Sequence, residues 1–140
     1  EVFRIHSANQ ISEINFYPKV VDTLNEFRHQ GLKLSVVTSK DQLRTDAILS
    51  RLPFIFDDVQ TPNDLYRGKP APDHLLLSMA TTQTDPSDSV YIGDMDVDFD
   101  AANRAGVDYL HADWGYGRKP SQKVSVIKSI QDINNYLGLV

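Results

Sequence analysis

Val90-Tyr91-Ile92-Gly93-Asp94, continuing as Met95-Asp96-Val97-Asp98, constrains the fold of this chain more than any other stretch. Three apolar residues read as a short buried strand, and Gly93 lets the backbone turn at its C-terminal end. Asp94 then stands at the mouth of a sheet, and Asp98 falls in the first turn of the next helix. Carboxylates at i and i+4 point the same way at a helix start. A hard cation such as Mg²⁺ takes oxygen ligands of this kind, usually one or two carboxylates with phosphate and water. Acids also favour helix N-termini through the macrodipole, and Asp96, Asp98 and Asp100 taken alone say no more than that.

The rest of the chain alternates helices with apolar strands. Tyr17-Pro18 opens a helix whose Val20, Leu24 and Phe27 share one face, and Gly31 is placed to end it. Leu32 to Val37 is the next strand, delivering Thr38-Ser39-Lys40 at its C-terminal end. Asp41 caps a helix running to about Leu52, where Pro53 stops it. Phe54 to Gln60 is a third apolar stretch, its strand expected to end in Phe56-Asp57-Asp58. A polar loop from Thr61 leads to Gly68-Lys69-Pro70-Ala71-Pro72-Asp73, and Pro72 starts a helix bearing Leu75, Leu76 and Met79. After Asp98, the small residues Ala101, Ala102 and Ala105 allow close packing, and Gly106 ends the helix. Val107 to Ala112 holds a strand, Trp114-Gly115-Tyr116-Gly117 a loop, and Val124 and Val126 an edge strand. Ser129 is placed to cap a last helix with Ile130, Ile133 and Leu137 on one face, ended by Gly138. This order predicts an α/β domain with a mostly parallel, Rossmann-like sheet flanked by helices. Ligands of such sheets bind at the carboxyl ends of the strands, where Thr38 and Asp94 both fall.

Composition excludes several classes. The 140 residues make one domain, and a net charge of −5 without a basic stripe argues against nucleic acid or an anionic membrane surface. The chain has no cysteine, hence no disulfide framework and no thiolate metal site, which fits a cytoplasmic protein. No apolar run approaches the roughly 18 residues of a membrane span. His6, His29, His74 and His111 are scattered without ligand spacing and read as structural or surface residues.

A hydroxyl at Thr38 and an ammonium at Lys69 suit a phosphoryl group, with Ser39 beside it, while Asp94 and Asp98 suit the Mg²⁺ that neutralises it. Each residue alone has an ordinary explanation: a turn threonine, a solvated lysine, a rigid proline loop. Together, and in this order, they resemble the haloacid dehalogenase superfamily in its phosphoglycolate-phosphatase-like branch. Tyr17-Pro18-Lys19-Val20 with Leu34 to Lys40 resembles the family's second motif and its preceding helix. Gly68 to Asp73 resembles the third, and Tyr91 to Asp98 with Ala101 to Gly106 the fourth. Trp114 to Gly117 matches a loop common in the branch. The likeness runs from Tyr17 to the C-terminus. It implies that Thr38 hydrogen-bonds the transferring phosphoryl group and that Lys69 stabilises its charge. It implies that Asp94 helps hold Mg²⁺, that Asp98 supports the ion directly or through water, and that the reaction passes through an aspartyl-phosphate.

The family's first motif, Asp-x-Asp-x-Thr, which supplies the nucleophile, occurs nowhere in the chain. Two readings of the N-terminal segment follow. In the preferred one, residues 1–16 are the tail of a cap domain and its linker, residues 17–140 are the hydrolase core, and the first strand lies upstream of Glu1. In the other, Val2 to Ile5 is a degenerate first strand, with His6 and Ala8 where the two aspartates belong. The resemblance places the first strand between the strands ending at Thr38 and Asp94, so either reading implies a slot to be filled, by an upstream segment, another chain or residues 2–6.

The leading expectation is therefore the C-terminal core of a Mg²⁺-dependent phosphatase for a small phosphorylated metabolite, inactive alone for want of the nucleophile. The alternative is a non-catalytic module of the same fold that keeps phosphate or Mg²⁺ binding. A receiver-like phosphoacceptor domain ranks third, on Asp57-Asp58 alone.

Overall fold

Helix α1, Pro18–His29, forms where the apolar spacing places it, and Leu24 and Phe27 are buried on its inner face. In this computed structural model, which describes residues 18–113 and 124–137, Gly31 takes φ 87° just beyond the helix. The Gly31 amide bonds the Arg28 carbonyl and the Leu32 amide bonds that of Phe27, both at 3.0 Å. That is the pair of bonds by which a left-handed glycine satisfies the last carbonyls of a helix.

Five strands and four further helices follow: β1 Ser35–Val37, α2 Gln42–Leu49, β2 Asp58–Gln60, α3 Asp73–Thr82, β3 Val90–Gly93, α4 Asp96–Ala105, β4 Asp108–Ala112, β5 Ser125–Ile127 and α5 Asp132–Leu137, with a 3₁₀ turn at Pro86–Asp88. All strand pairs are parallel. β1 pairs with β2, aligning Ser35 with Asp58, and β3-β4-β5 form a second ladder in which Gly93 aligns with His111. The two ladders share both cores. On one face Val36, Val90, Ile92 and Leu110 pack with Leu24 and Phe27 of α1 and Ile133 of α5. On the other, Val37 and Tyr91 pack with Leu75 and Met79 of α3 and Ala101, Ala102 and Ala105 of α4. The result is the expected α/β layering, helices on both faces of parallel strands. Among the described residues no strand bridges β1 and β3.

Several local expectations are corrected. Phe56-Asp57-Asp58 does not end a strand, because β2 begins at Asp58. Asp57 accepts the Leu34 amide at 2.8 Å, at the start of β1 and β2, the opposite end from Thr38. The acid pair therefore lies away from the carboxyl edge that a phosphoacceptor would need. Ser129 does not cap α5. Asp132, in the first turn, reaches back to the amides of Lys128 (3.0 Å) and Ser129 (3.3 Å), so the helix starts later. Helix α2 stops at Leu49, short of Leu52. Leu76 of α3 faces solvent while Leu75 and Met79 are buried. The readings placed on residues 1–16, on Trp114 to Gly117 and on Gly138 lie outside the described residues.

Candidate active site

Asp98 is the centre of the site. It is the third residue of α4 and fully buried. Its Oδ2 accepts the amides of Asp94 (3.2 Å) and Met95 (3.1 Å), so it caps its own helix start. Its Oδ1 accepts the Lys69 ammonium at 2.6 Å, within an ion pair whose side chains are 5% and 0% exposed. The Tyr91 hydroxyl also reaches Oδ1, at 3.4 Å, and reaches the Val37 carbonyl at 3.3 Å. A carboxylate taken wholly out of water is tolerated when each oxygen is served by donors and a cation is paired with it, as here. The bland reading of Asp98 as a helix-start acid thus holds for Oδ2, while Oδ1 does something a cap does not require.

Gly93 is needed for space rather than for turning. Its φ lies outside the left-handed region. A Cβ there would sit 2.5 Å from Asp98 Cβ and 2.6 Å from Asp98 Oδ2. Only a bare backbone lets the end of β3 lie against the Asp98 side chain.

Lys69 is carried on the loop before α3, and three contacts hold that loop. Arg67 and Asp73 bracket it: the guanidinium meets the carboxylate through Nε at 3.2 and 3.1 Å and a terminal nitrogen at 2.7 Å, and the Arg67 amide adds a bond at 3.0 Å. The side-chain hydrogen bonds from Arg67, then its amide, lower the Asp73 carboxyl from 3.8 to about 2. Arg104, near the end of α4, donates to the Pro70 carbonyl at 3.3 Å. Helix α4 therefore grips the loop twice, by Asp98 on Lys69 and by Arg104 on the next residue. The Lys69–Pro70 peptide is cis.

Thr38 follows β1, is buried, and bonds the Gln60 carbonyl through its amide at 3.1 Å. Its Oγ1 accepts the Lys40 amide at 3.1 Å, and the same hydroxyl carries a hydrogen to donate. Ser39 beside it is exposed. Asp94 is fully buried at the end of β3. The structure thus joins Lys69 and the backbone amide of Asp94 on the Asp98 carboxylate, and links the strand end bearing Thr38 to them through Val37 and Tyr91. Ser39 has no part in these contacts. Tyr91, Arg67, Asp73 and Arg104 were not singled out from the sequence. A tyrosine inside an apolar strand run, whose hydroxyl needs a partner when buried, was the one available signal.

Among the described residues no group of three or more His, Cys, Asp or Glu side chains converges as a metal cage. The donor chemistry still suits Mg²⁺. Asp94 is a buried hard-oxygen donor at a strand end, and Mg²⁺ commonly takes one or two protein carboxylates and completes its shell with phosphate and water. Asp98, its oxygens already engaged, fits behind such an ion better than against it.

Comparison with known proteins agrees with the fold. A phosphoglycolate phosphatase of Aquifex aeolicus is 32% identical over 125 residues, covering 87% of this chain and 59% of its own length. The pyrophosphatase PpaX of Bacillus velezensis is 31% identical over 100 residues, covering 70% of this chain and 46% of its own. The crystal structure of a predicted phosphoglycolate phosphatase from Haemophilus somnus superposes with a TM-score of 0.77 at 25% identity, over 86% of this chain and 56% of that one. The chain spans about half the length of these relatives. The family model described as haloacid dehalogenase-like hydrolase matches residues 1–112, and the chain belongs to that family.

Proposed function

We propose that this chain is the core portion of a Mg²⁺-dependent phosphatase that hydrolyses a small phosphorylated metabolite through an aspartyl-phosphate. The observation that carries the reading is the buried Lys69–Asp98 pair, tied by backbone amides to the strand end that presents Asp94. A lysine held out of water beside a phosphoryl site offers a full positive charge to the equatorial oxygens of the transferring group, where preorganised charge counts most. Thr38 would donate its hydroxyl to the same group, with Ser39 at its margin. Asp94 would contribute one ligand to the ion, and Asp98 would hold Lys69 and the start of α4 in place. Mg²⁺, when bound, would neutralise phosphate charge and orient the ester. The attacking carboxylate is absent from the sequence, so the reading has residues 1–16 as cap tail and linker and the nucleophile supplied from an upstream segment or a second chain.

The test is turnover of p-nitrophenyl phosphate and 2-phosphoglycolate with Mg²⁺, by this chain and by the chain joined to the coding sequence that precedes it. The expected result is hydrolysis in the extended protein alone, abolished by EDTA and restored by Mg²⁺. Absence of turnover in both refutes the enzyme reading. It leaves the second one, a non-catalytic module that binds phosphate or Mg²⁺, which the missing Asp-x-Asp-x-Thr favours.

A further inference from the structure

We propose that Tyr91 is a positioning residue for Lys69, its hydroxyl hydrogen turning from the Val37 carbonyl to Asp98 Oδ1 when the ammonium shares its donors with a phosphoryl group. The inference rests on the reading of Lys69 as a phosphoryl-binding residue. It starts from an asymmetry at Asp98. Oδ2 is held by two backbone amides, fixed in the turn that opens α4. Among the described residues, Oδ1 has two side chains within reach, Lys69 at 2.6 Å and the Tyr91 hydroxyl at 3.4 Å. A lysine has three N–H donors, and one that engages a phosphoryl group shares them between that group and Oδ1. The fully buried carboxylate would then hold its cation less closely, a costly change in a protein interior.

Tyr91 is placed to offset that loss. A phenol has one hydrogen and serves one acceptor at a time. Among the described residues two acceptors flank it, Val37 O at 3.3 Å and Asp98 Oδ1 at 3.4 Å, both longer than a settled O–H···O bond. Turning from one to the other requires rotation about the C–O bond alone. The ring itself, fully buried against Tyr109 at 6.5 Å between centroids, stays where it is. The Lys69 nitrogen already lies over that ring, 6.0 Å from its centroid, where the π face attracts a cation. The same rotation releases the Val37 carbonyl, one residue before Thr38, so the two phosphoryl-binding side chains are coupled through one hydroxyl.

The experiment uses the full-length product of the gene, ¹⁵N-labelled at lysine, with Mg²⁺ and inorganic phosphate as the probe. The Lys69 ammonium resonance is followed in wild type, in Tyr91→Phe, and with 3-fluorotyrosine at position 91, a stronger donor of nearly the same shape. Phosphate is expected to shift the resonance in wild type. Tyr91→Phe should keep the ligand-free spectrum and bind phosphate about tenfold more weakly, the loss of one hydrogen bond to a charged group. Fluorotyrosine should bind it more tightly, a direction that a purely packing role would not produce. Equal phosphate affinity in wild type and Tyr91→Phe overturns the role of Tyr91 while leaving Lys69 at the site. A wild-type resonance that phosphate leaves unmoved overturns both. Should Tyr91→Phe fail to fold, an unchanged affinity in the fluorotyrosine protein is by itself enough to reject the proposal.

Discussion

Gly93→Ala puts one methyl group into the tightest place in the site. The added Cβ would stand 2.5 Å from Asp98 Cβ and 2.6 Å from both its Cγ and Oδ2. Carbon atoms rest at about 3.5–4.0 Å, so the overlap is on the order of 1 Å. Neither side yields easily. Asp98 Cβ is fixed by the α4 backbone, and its carboxylate is held by Lys69 and the amides of Asp94 and Met95. Relief requires the first turn of α4 to move off β3, or the carboxylate to give up its donors. Overpacking by one methyl costs about 1–3 kcal/mol, and each lost hydrogen bond to a charged group about 1.5–3 kcal/mol. A loss of roughly 3 kcal/mol or more is expected. The assay is equilibrium unfolding in urea, where a slope of about 1–3 kcal/mol per molar turns that loss into a midpoint lowered by roughly 1–3 M. Gly68→Ala is the matched control, since a Cβ there meets nothing within 4 Å. Its midpoint should hold or rise slightly, because alanine narrows the unfolded ensemble. Equal midpoints for the two variants would refute the packing account of Gly93.

Lys69→Met leaves the buried Asp98 carboxylate without its cation and should cost about 3–5 kcal/mol. Adding Asp98→Asn should recover part of that in a double-mutant cycle read by urea unfolding, since the two groups are coupled. Asp41→Ala removes the cap that bonds the Arg44 amide at 2.9 Å and should cost about 1 kcal/mol in the same assay. Arg67→Gln should return the Asp73 carboxyl from about 2 towards 3.8, followed by carboxyl ¹³C NMR. Because the folded value is the lowered one, the pairing is in full force above the ordinary carboxylate range and is lost as pH falls through about 2. The Arg67 side chain is largely exposed, so global stability should barely change while the loop before α3 loosens.

Much of the fold was legible because its signals are local. Leu24 and Phe27 recur at helical spacing, Gly31 and Gly106 stop helices by a backbone conformation that glycine adopts without cost, and Asp41 caps by a bond three residues long. Failures came where two residues compete for one local role. Asp132 displaced Ser129 as the group that collects amides at the start of α5, a carboxylate being the stronger acceptor. Phe54 and Phe56 are buried yet precede β2, since an apolar run records burial without recording which residues enter a ladder. In the site, the sequence pointed to Lys69, Asp94 and Asp98 but not to the residues that hold them. Arg67, Arg104 and Tyr91 act across loops or between strands, and no spacing rule reaches that far.

The one-dimensional pattern alone determined the layered α/β architecture, the order of the strand-end motifs and the lack of an Asp-x-Asp-x-Thr, because periodicity, helix stops and residue identity are written within a few positions. Which donors share the Asp98 carboxylate was decided only when the chain folded. Lys69 lies 29 positions away, and Tyr91, which also reaches Asp98, bonds Val37 across 54. A buried charge accepts whatever donors three-dimensional packing delivers to it, and that delivery depends on the whole core at once.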